Sequence, residues 1–458
     1  MRENFENMSA SEIARLVNAG EISAVEVCTE FLARAADDGH NAYITLANKI
    51  ALESAERVDK LIREGENLPL AGVPVSVKDN ICTDGIRTTC ASRFLRDFTP
   101  SYSATAYIKM ISAGAVPVGK ANMDEFAVGG EGDTSYFGKA INPLDPSRSA
   151  GGSSSGSAVS VASGIAAASL GSDTGGSARV PAAFCGVYGM KPTYGAVSRF
   201  GLVGMAPSFE QICPITKTLD DSELLLDVIK GKDRRDMTSK EVVFREINID
   251  NVLRIGVFLP DGCDADVVSA VTLATRKLTD FGAVADAVTL PEDDSAVRVY
   301  YTLSSAETYS NLARFDGMRY GFTSDSGSVF DSRAEGFGKT LRERIAEGVY
   351  VLEHNGGEAY IKALELRRSV REGMTALFDK YDVVVTPVCR TATPLAGDVG
   401  YTCDLFTVYA NLCGCPALVI PFGLDGAGLP VGIQLMASHG SEKLLYKTAD
   451  MIEGRDSL

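Results

Sequence analysis

The stretch from Ala150 to Gly204 constrains this chain more than any other. It is dense in glycine, alanine and serine, yet it is not repetitive enough to read as disorder. Small residues let backbones pack closely, and glycine turns where other residues are strained. Such a stretch belongs where chain packs on chain or where backbone meets a ligand. Within it, the alanine, serine and valine run from Ala158 to Leu170 predicts a closely packed, buried helix.

Two serine-bearing loops lie in this stretch. In Gly171-Ser-Asp-Thr-Gly-Gly-Ser177 a serine follows a Thr-Gly-Gly turn. Amides in such a turn can face one point and stabilise the oxyanion formed when Ser177 attacks a carbonyl. The same turn would also serve as a nest for an anion such as phosphate. In Ala150-Gly-Gly-Ser153-Ser-Ser-Gly156, the segment Gly152-Ser-Ser154-Ser-Gly156 formally matches the G-x-S-x-G nucleophile elbow. That elbow needs a histidine base held by an acid. Downstream stand His354 and His439 alone, neither in a polar cluster, which disfavours histidine-based hydrolysis.

A third site is Lys78, at the end of the apolar run Val73-Pro-Val-Ser-Val77. A strand-end lysine is often a solvated charge. Burial lowers its pKa, and the neutral amine then takes a proton. A serine/lysine hydrolase would need no histidine. Spacing by itself does not join Lys78 to Ser177.

The flanking pattern predicts an α/β fold. Ser9 with Glu12, and Ser23 with Glu26, mark the starts of two helices. A longer helix is expected from Leu46 to Glu64, and another from Thr105 to Gly114 before a strand at Ala115–Gly119. Further strands are expected at Leu253–Phe258, Val383–Val385, Ala417–Ile420 and Val431–Leu435, with helices at Val267–Phe281, between Ser305 and Lys380, and at Glu442–Ile452. The polar residues 230–250 read as a surface connection. One domain over 1–458 is the preferred organisation, with N-terminal helices at about 9–64 and a catalytic core at about 70–220; two subdomains joined at 230–250 are the alternative.

Composition narrows the function. The formal charge of -16, from 60 acidic against 44 basic residues, is a poor footprint for nucleic acid. No apolar run reaches the ~18 residues of a membrane span, and the opening residues lack a signal peptide's features. A cytoplasmic location is expected. The ten cysteines then read as reduced, mostly buried thiols. The Cys413-Gly-Cys415 gap is too short for the usual zinc spacing, and with three histidines no metal site is expected.

Three ordered blocks, Gly72-Val-Pro-Val-Ser-Val-Lys78-Asp-Asn, Gly151-Gly-Ser-Ser-Ser-Gly-Ser157 and Gly171-Ser-Asp-Thr-Gly-Gly-Ser177, resemble the amidase signature family. The resemblance covers nearly the whole chain and is strongest from Leu70 to Pro214. It implies a large mixed central β-sheet flanked by helices. It implies Ser177 as nucleophile, Ser153 as proton relay after a cis Gly152–Ser153 bond, Lys78 as general base, and an oxyanion site at the amides of Thr174, Gly175, Gly176 and Ser177.

Within the family the likeness is strong to glutamine-hydrolysing subunits of tRNA-dependent amidotransferases. It runs through Asn122-Met-Asp-Glu-Phe126, Pro181-Ala-Ala-Phe-Cys-Gly-Val187 and Asn311-Leu-Ala-Arg-Phe-Asp-Gly317. For such a subunit Arg344 would pair with the substrate α-carboxylate, Asp404 would receive the α-ammonium and Tyr300 would line the pocket. Without the resemblance Arg344 reads as a charge on an exposed helix and Tyr300 or Tyr301 as core. The implied partners are a B subunit that holds misacylated tRNA, Glu-tRNA(Gln) or Asp-tRNA(Asn), and uses ATP and Mg2+, and a small C subunit. No cofactor is expected on this chain itself. The chain departs from those subunits at Ser155, at Val128–Thr134, at Val180, and in a shortened 387–404 stretch. A stand-alone amidase acting on small amides is the alternative function, and a non-enzymatic scaffold the third.

Overall fold

The computed structural model describes residues 5–242, 244, 252–292, 295–398 and 403–455. Part of the expected 230–250 connection (243 and 245–250) and residues 399–402 of the shortened stretch lie outside the described residues.

Among the described residues eleven strands form one mixed sheet. In chain order they are β1 (Tyr43–Leu46), β2 (Pro74–Lys78), β3 (Val116–Ala121), β4 (Ala168–Asp173), β5 (Tyr188–Lys191), β6 (Gln211–Thr216), β7 (Arg254–Val257), β8 (Val284–Ala287), β9 (Val383–Pro387), β10 (Ala417–Leu424) and β11 (Pro430–Ala437). Their order across the sheet is β1-β3-β2-β4-β6-β5-β10-β11-β9-β7-β8. Strands β3, β2 and β4 run parallel, as do β9, β7 and β8; the remaining pairs are antiparallel. Helices flank the sheet, as the α/β reading expected. Among the described residues no helix is long and apolar enough to cross a membrane.

The N-terminal helices begin where their caps predict. Ser9 accepts from the Glu12 amide at the start of Ala10–Asn18, and Ser23 with Glu26 forms a complete capping box before Ala24–Ala36. The third helix spans Asn48–Arg63, while Leu46, expected in it, ends β1.

The run from Ala158 to Leu170 is not one helix. A helix covers Ser155–Ala162, the chain reverses at Gly164 with φ +72°, and Ala168 opens β4. Alanine favours helix locally, but β4 lies between β2 and β6, and its pairing outweighs that preference. Its residues are buried throughout. Small residues instead let the Ser155–Ala162 helix press on the sheet. A Cβ on Gly156 would stand 2.7 Å from the Asn122 carbonyl oxygen. The hydroxyls of Ser160 and Ser76 are 2.8 Å apart, and Ser76 donates to Ser169 at 2.7 Å. Nine of the ten cysteines are buried and all ten are free thiols.

Candidate active site

The sheet register assembles the centre. Strands β2 and β4 are parallel neighbours, with Val75, Ser76 and Val77 opposite Ala168, Ser169 and Leu170. Their carboxyl ends therefore emerge side by side, where ligands of parallel sheets commonly bind. Lys78 closes β2, and the loop with Ser177 follows the end of β4. Lys78 Nζ donates to the Ser172 carbonyl at 3.3 Å and to Ser153 Oγ at 2.8 Å. Ser153 sits just before the Ser155–Ala162 helix, so the same small-residue packing carries it to Lys78.

Lys78 is fully buried. Burial pulls its pKa down to about 7, against the opposing pull of Asp124 and Asp173. Near neutral pH much of the amine is therefore uncharged, and its lone pair then faces a hydroxyl proton. The Gly152–Ser153 peptide is cis, as the family resemblance implies. The Ser153 carbonyl accepts from the Asp124 amide at 3.2 Å.

Ser177 is 8% exposed, so its hydroxyl lies at the edge of solvent. Its carbonyl accepts from the Ser154 amide at 2.9 Å, which ties the two serine loops together by backbone. The Ser177 hydroxyl makes no hydrogen bond among the described residues, so Lys78 and Ser153 are joined through side chains and Ser177 is not linked to them in that way. None of the amides of Thr174, Gly175, Gly176 and Ser177 donates to another described residue. Four donors in one turn are thus available to an anion.

A buried ion pair holds this turn. Arg179 donates to Asp173 through Nε at 3.0 Å and a terminal nitrogen at 2.8 Å, and both residues are fully buried. Arg179 also donates to the Thr407 carbonyl at 2.8 Å and to Asn411 at 2.6 Å. Asp173 in turn accepts the Ala178 amide at 3.1 Å. Burial opposes the Asp173 charge, but Arg179 and Asn411 hold its pKa at about 2. Because that value lies below the ordinary one, this stabilisation is present above about pH 4 and is lost as pH falls through 2. Arg179→Met is expected to destabilise the fold by about 3–5 kcal/mol, because it strands a buried carboxylate. Denaturant unfolding checks it; a change below about 1 kcal/mol would mean that the pair is not a structural clamp.

Tyr300 and Tyr301, from the helix Ala296–Leu312, join this turn to a second group of charges. A Cβ on Gly175 would stand 2.6 Å from the Tyr300 hydroxyl, so glycine is needed for this ring to lie on the turn. Tyr300 also packs edge-on against Phe209 and Tyr301. The Tyr301 hydroxyl donates to Asp404, and the Arg344 guanidinium lies 4.6 Å over the Tyr301 ring. Arg344, on the helix Lys339–Glu353, also pairs with Glu347 at 3.3 Å. Burial pushes Asp404 up to about 6, while Tyr301 and Arg344 pull it down.

The structure therefore brings Lys78 to Ser153, ties Ser154 to Ser177, and gathers Tyr300, Arg344 and Asp404 around Tyr301. Sequence reasoning missed Tyr301, Asp173, Arg179 and Asn411. Tyr301 was visible only as the neighbour of Tyr300. Arg179 did carry a signal: a lone charge within the small and apolar run Ser177-Ala-Arg-Val-Pro181 is best explained by a buried partner.

The Amidase family matches residues 26–446. The chain is 44% identical to the A subunit of the glutamyl-tRNA(Gln) amidotransferase of Carboxydothermus hydrogenoformans, over 97% of this chain and 96% of that one. It superposes on the crystal structure of the A subunit of the Thermotoga maritima glutamyl-tRNA(Gln) amidotransferase with TM-score 0.81 and 34% identity, covering 100% of this chain and 96% of the other. It superposes on the peptide amidase of Stenotrophomonas maltophilia with TM-score 0.85 and 29% identity, covering 99% and 97%.

Proposed function

The chain belongs to the amidase family, and we propose that it is the glutaminase subunit of a tRNA-dependent amidotransferase. Its curated relatives bear that subunit's name. The observation that carries the reading is the opposed pair Arg344 and Asp404, set around Tyr301 beside the Gly175 turn. Two opposite charges suit the α-carboxylate and α-ammonium of glutamine, with the side-chain amide reaching towards Ser177. A simple amide would meet neither charge, so the pair would add nothing to its binding.

In this reading Ser177 attacks the amide carbon and its proton passes through Ser153 to Lys78. The amides of Thr174, Gly175, Gly176 and Ser177 hold the developing oxyanion. Collapse expels ammonia, which takes up the proton carried by the relay. Water then attacks the acyl-enzyme; it gives its proton to the same relay and releases glutamate and free Ser177. Ammonia passes to a B subunit that activates misacylated tRNA with ATP and Mg2+, and a small C subunit joins the two. The acidic surface of this chain agrees with leaving tRNA to a partner.

The test is ammonia release from glutamine by the chain purified with its native partners, with and without misacylated tRNA and ATP. Stimulation of about tenfold or more by tRNA and ATP is expected, a coupling of typical size. Glutamine turnover indifferent to both, or rapid hydrolysis of simple amides in its place, would replace the proposal with a stand-alone amidase.

A further inference from the structure

Glu125 belongs neither to the catalytic centre nor to the substrate pocket, yet it touches the supports of both. Its side chain is 3% exposed. One carboxylate oxygen accepts from the Ser92 hydroxyl, and the other accepts from the Gly338 amide at 2.8 Å. Gly338 is the N-cap of the helix Lys339–Glu353, which has no side-chain cap of its own and carries Arg344 in its second turn. A Cβ on Gly338 would stand 2.6 Å from that carboxylate oxygen, so the contact depends on glycine. A carboxylate at a helix N-terminus is also favoured by the helix dipole.

The neighbouring residue faces the other way. The Asp124 amide donates to the Ser153 carbonyl at 3.2 Å, and its carboxylate accepts the amides of Gly132 and Thr134, each at 3.2 Å. The Glu125 amide itself donates to Thr134 Oγ1 at 2.9 Å. Two consecutive residues therefore connect the Ser153 backbone to the start of the Arg344 helix. The turn they occupy is fixed by Phe126 and Ala127, both with positive φ.

We propose that Glu125 is a positioning residue that sets Arg344 relative to Ser153, and so determines how well the site selects substrates with a free α-carboxylate. The inference rests on the reading of Arg344 as the carboxylate partner. Burial pushes the Glu125 carboxyl up to about 7, with Ser92, Gly338 and Arg342 pulling it down; assays therefore belong above that pH, where it is charged.

The experiment compares glutamine with butyramide, a neutral amide that offers Arg344 nothing. Glu125→Asp, which shortens the reach, and Gly338→Ala, which pushes the carboxylate away, should each raise KM for glutamine about tenfold, the order expected for a sub-ångström misplacement. Glutamine kcat and butyramide turnover should change by less than about threefold in both. Glu125→Gln keeps the reach, and should restore KM to within about threefold of the parent. Should Glu125→Asp fail to fold, Gly338→Ala carries the test. Equal losses on both substrates, an unchanged KM, or a Glu125→Gln variant as impaired as Glu125→Asp would each overturn the proposal. Arg344→Ala separates the two levels. If it leaves the preference for glutamine over butyramide unchanged, the reading of Arg344 fails and this inference with it. If it removes that preference while the Glu125 and Gly338 variants keep theirs, this inference alone fails.

Discussion

Ser177→Ala is expected to lower glutamine turnover by about 10⁴-fold or more, the scale seen when a serine nucleophile is lost, while leaving the fold intact. The stability half of this prediction follows from contacts. The Ser177 hydroxyl is bound by no described residue, and the position is at the solvent edge. Removing an oxygen that satisfies nothing should change stability by less than about 1 kcal/mol. Its carbonyl contact with the Ser154 amide is backbone and survives the substitution. Ser153→Ala should behave differently. It removes the 2.8 Å partner of a fully buried lysine, so it should cost about 1–3 kcal/mol of stability as well as activity. Denaturant unfolding and single-turnover mass measurement read both effects. An acyl adduct that still forms in Ser177→Ala, or near-parental turnover, would remove Ser177 from the nucleophile's place.

Much of this arrangement was legible in the sequence, and the parts that were not have a common cause. Lys78 was legible in part: at the end of the mostly apolar run Val73-Pro-Val-Ser-Val77 it reads either as a solvated strand-end charge or as a buried base, and the fold buries it. Ser177 was legible because Thr-Gly-Gly before it exposes backbone amides. The cap residues Ser9 and Ser23 marked helix starts because their partners lie three residues away. Long-range pairing was not legible. The start of strand β4 reads as helix because the consecutive alanines Ala166, Ala167 and Ala168 favour helix locally, and only the flanking β2 and β6 overrule them. Arg179 meets Asn411 across 232 residues, a contact that no local pattern announces. Tyr301 became a site residue only when the fold set it between Asp404 and Arg344. Family resemblance supplied Arg344 and Asp404, because a charge on a helix and an acid in a loop carry no signal of their own.

The rate of amide hydrolysis should rise tenfold per pH unit below about 7 and level off above it, following the neutral fraction of Lys78. The sign follows from the role. A base must be unprotonated to act, so lowering pH through its pKa removes the active form. Burial is the largest cause of the lowered pKa, and it also means that a substitution can be made without a solvent-filled gap. Lys78→Met keeps the bulk and deletes the base. It should cost about 10²–10⁴-fold in kcat/KM, the usual contribution of a general base, and the residual rate should lose the rising limb. Butyramide is the suitable substrate, because glutamine binding adds the titration of Asp404 near 6. Asp124 needs separate treatment, since burial raises it to about 6 and it could impose a limb of its own. Asp124→Asn decides between them. Asp124 holds the Lys78 pKa up, so its neutralisation should move a Lys78 limb to lower pH. A limb that belonged to Asp124 would vanish instead. A pH profile unchanged in both variants would mean that neither group governs the rate and that the Ser177 proton leaves by another route.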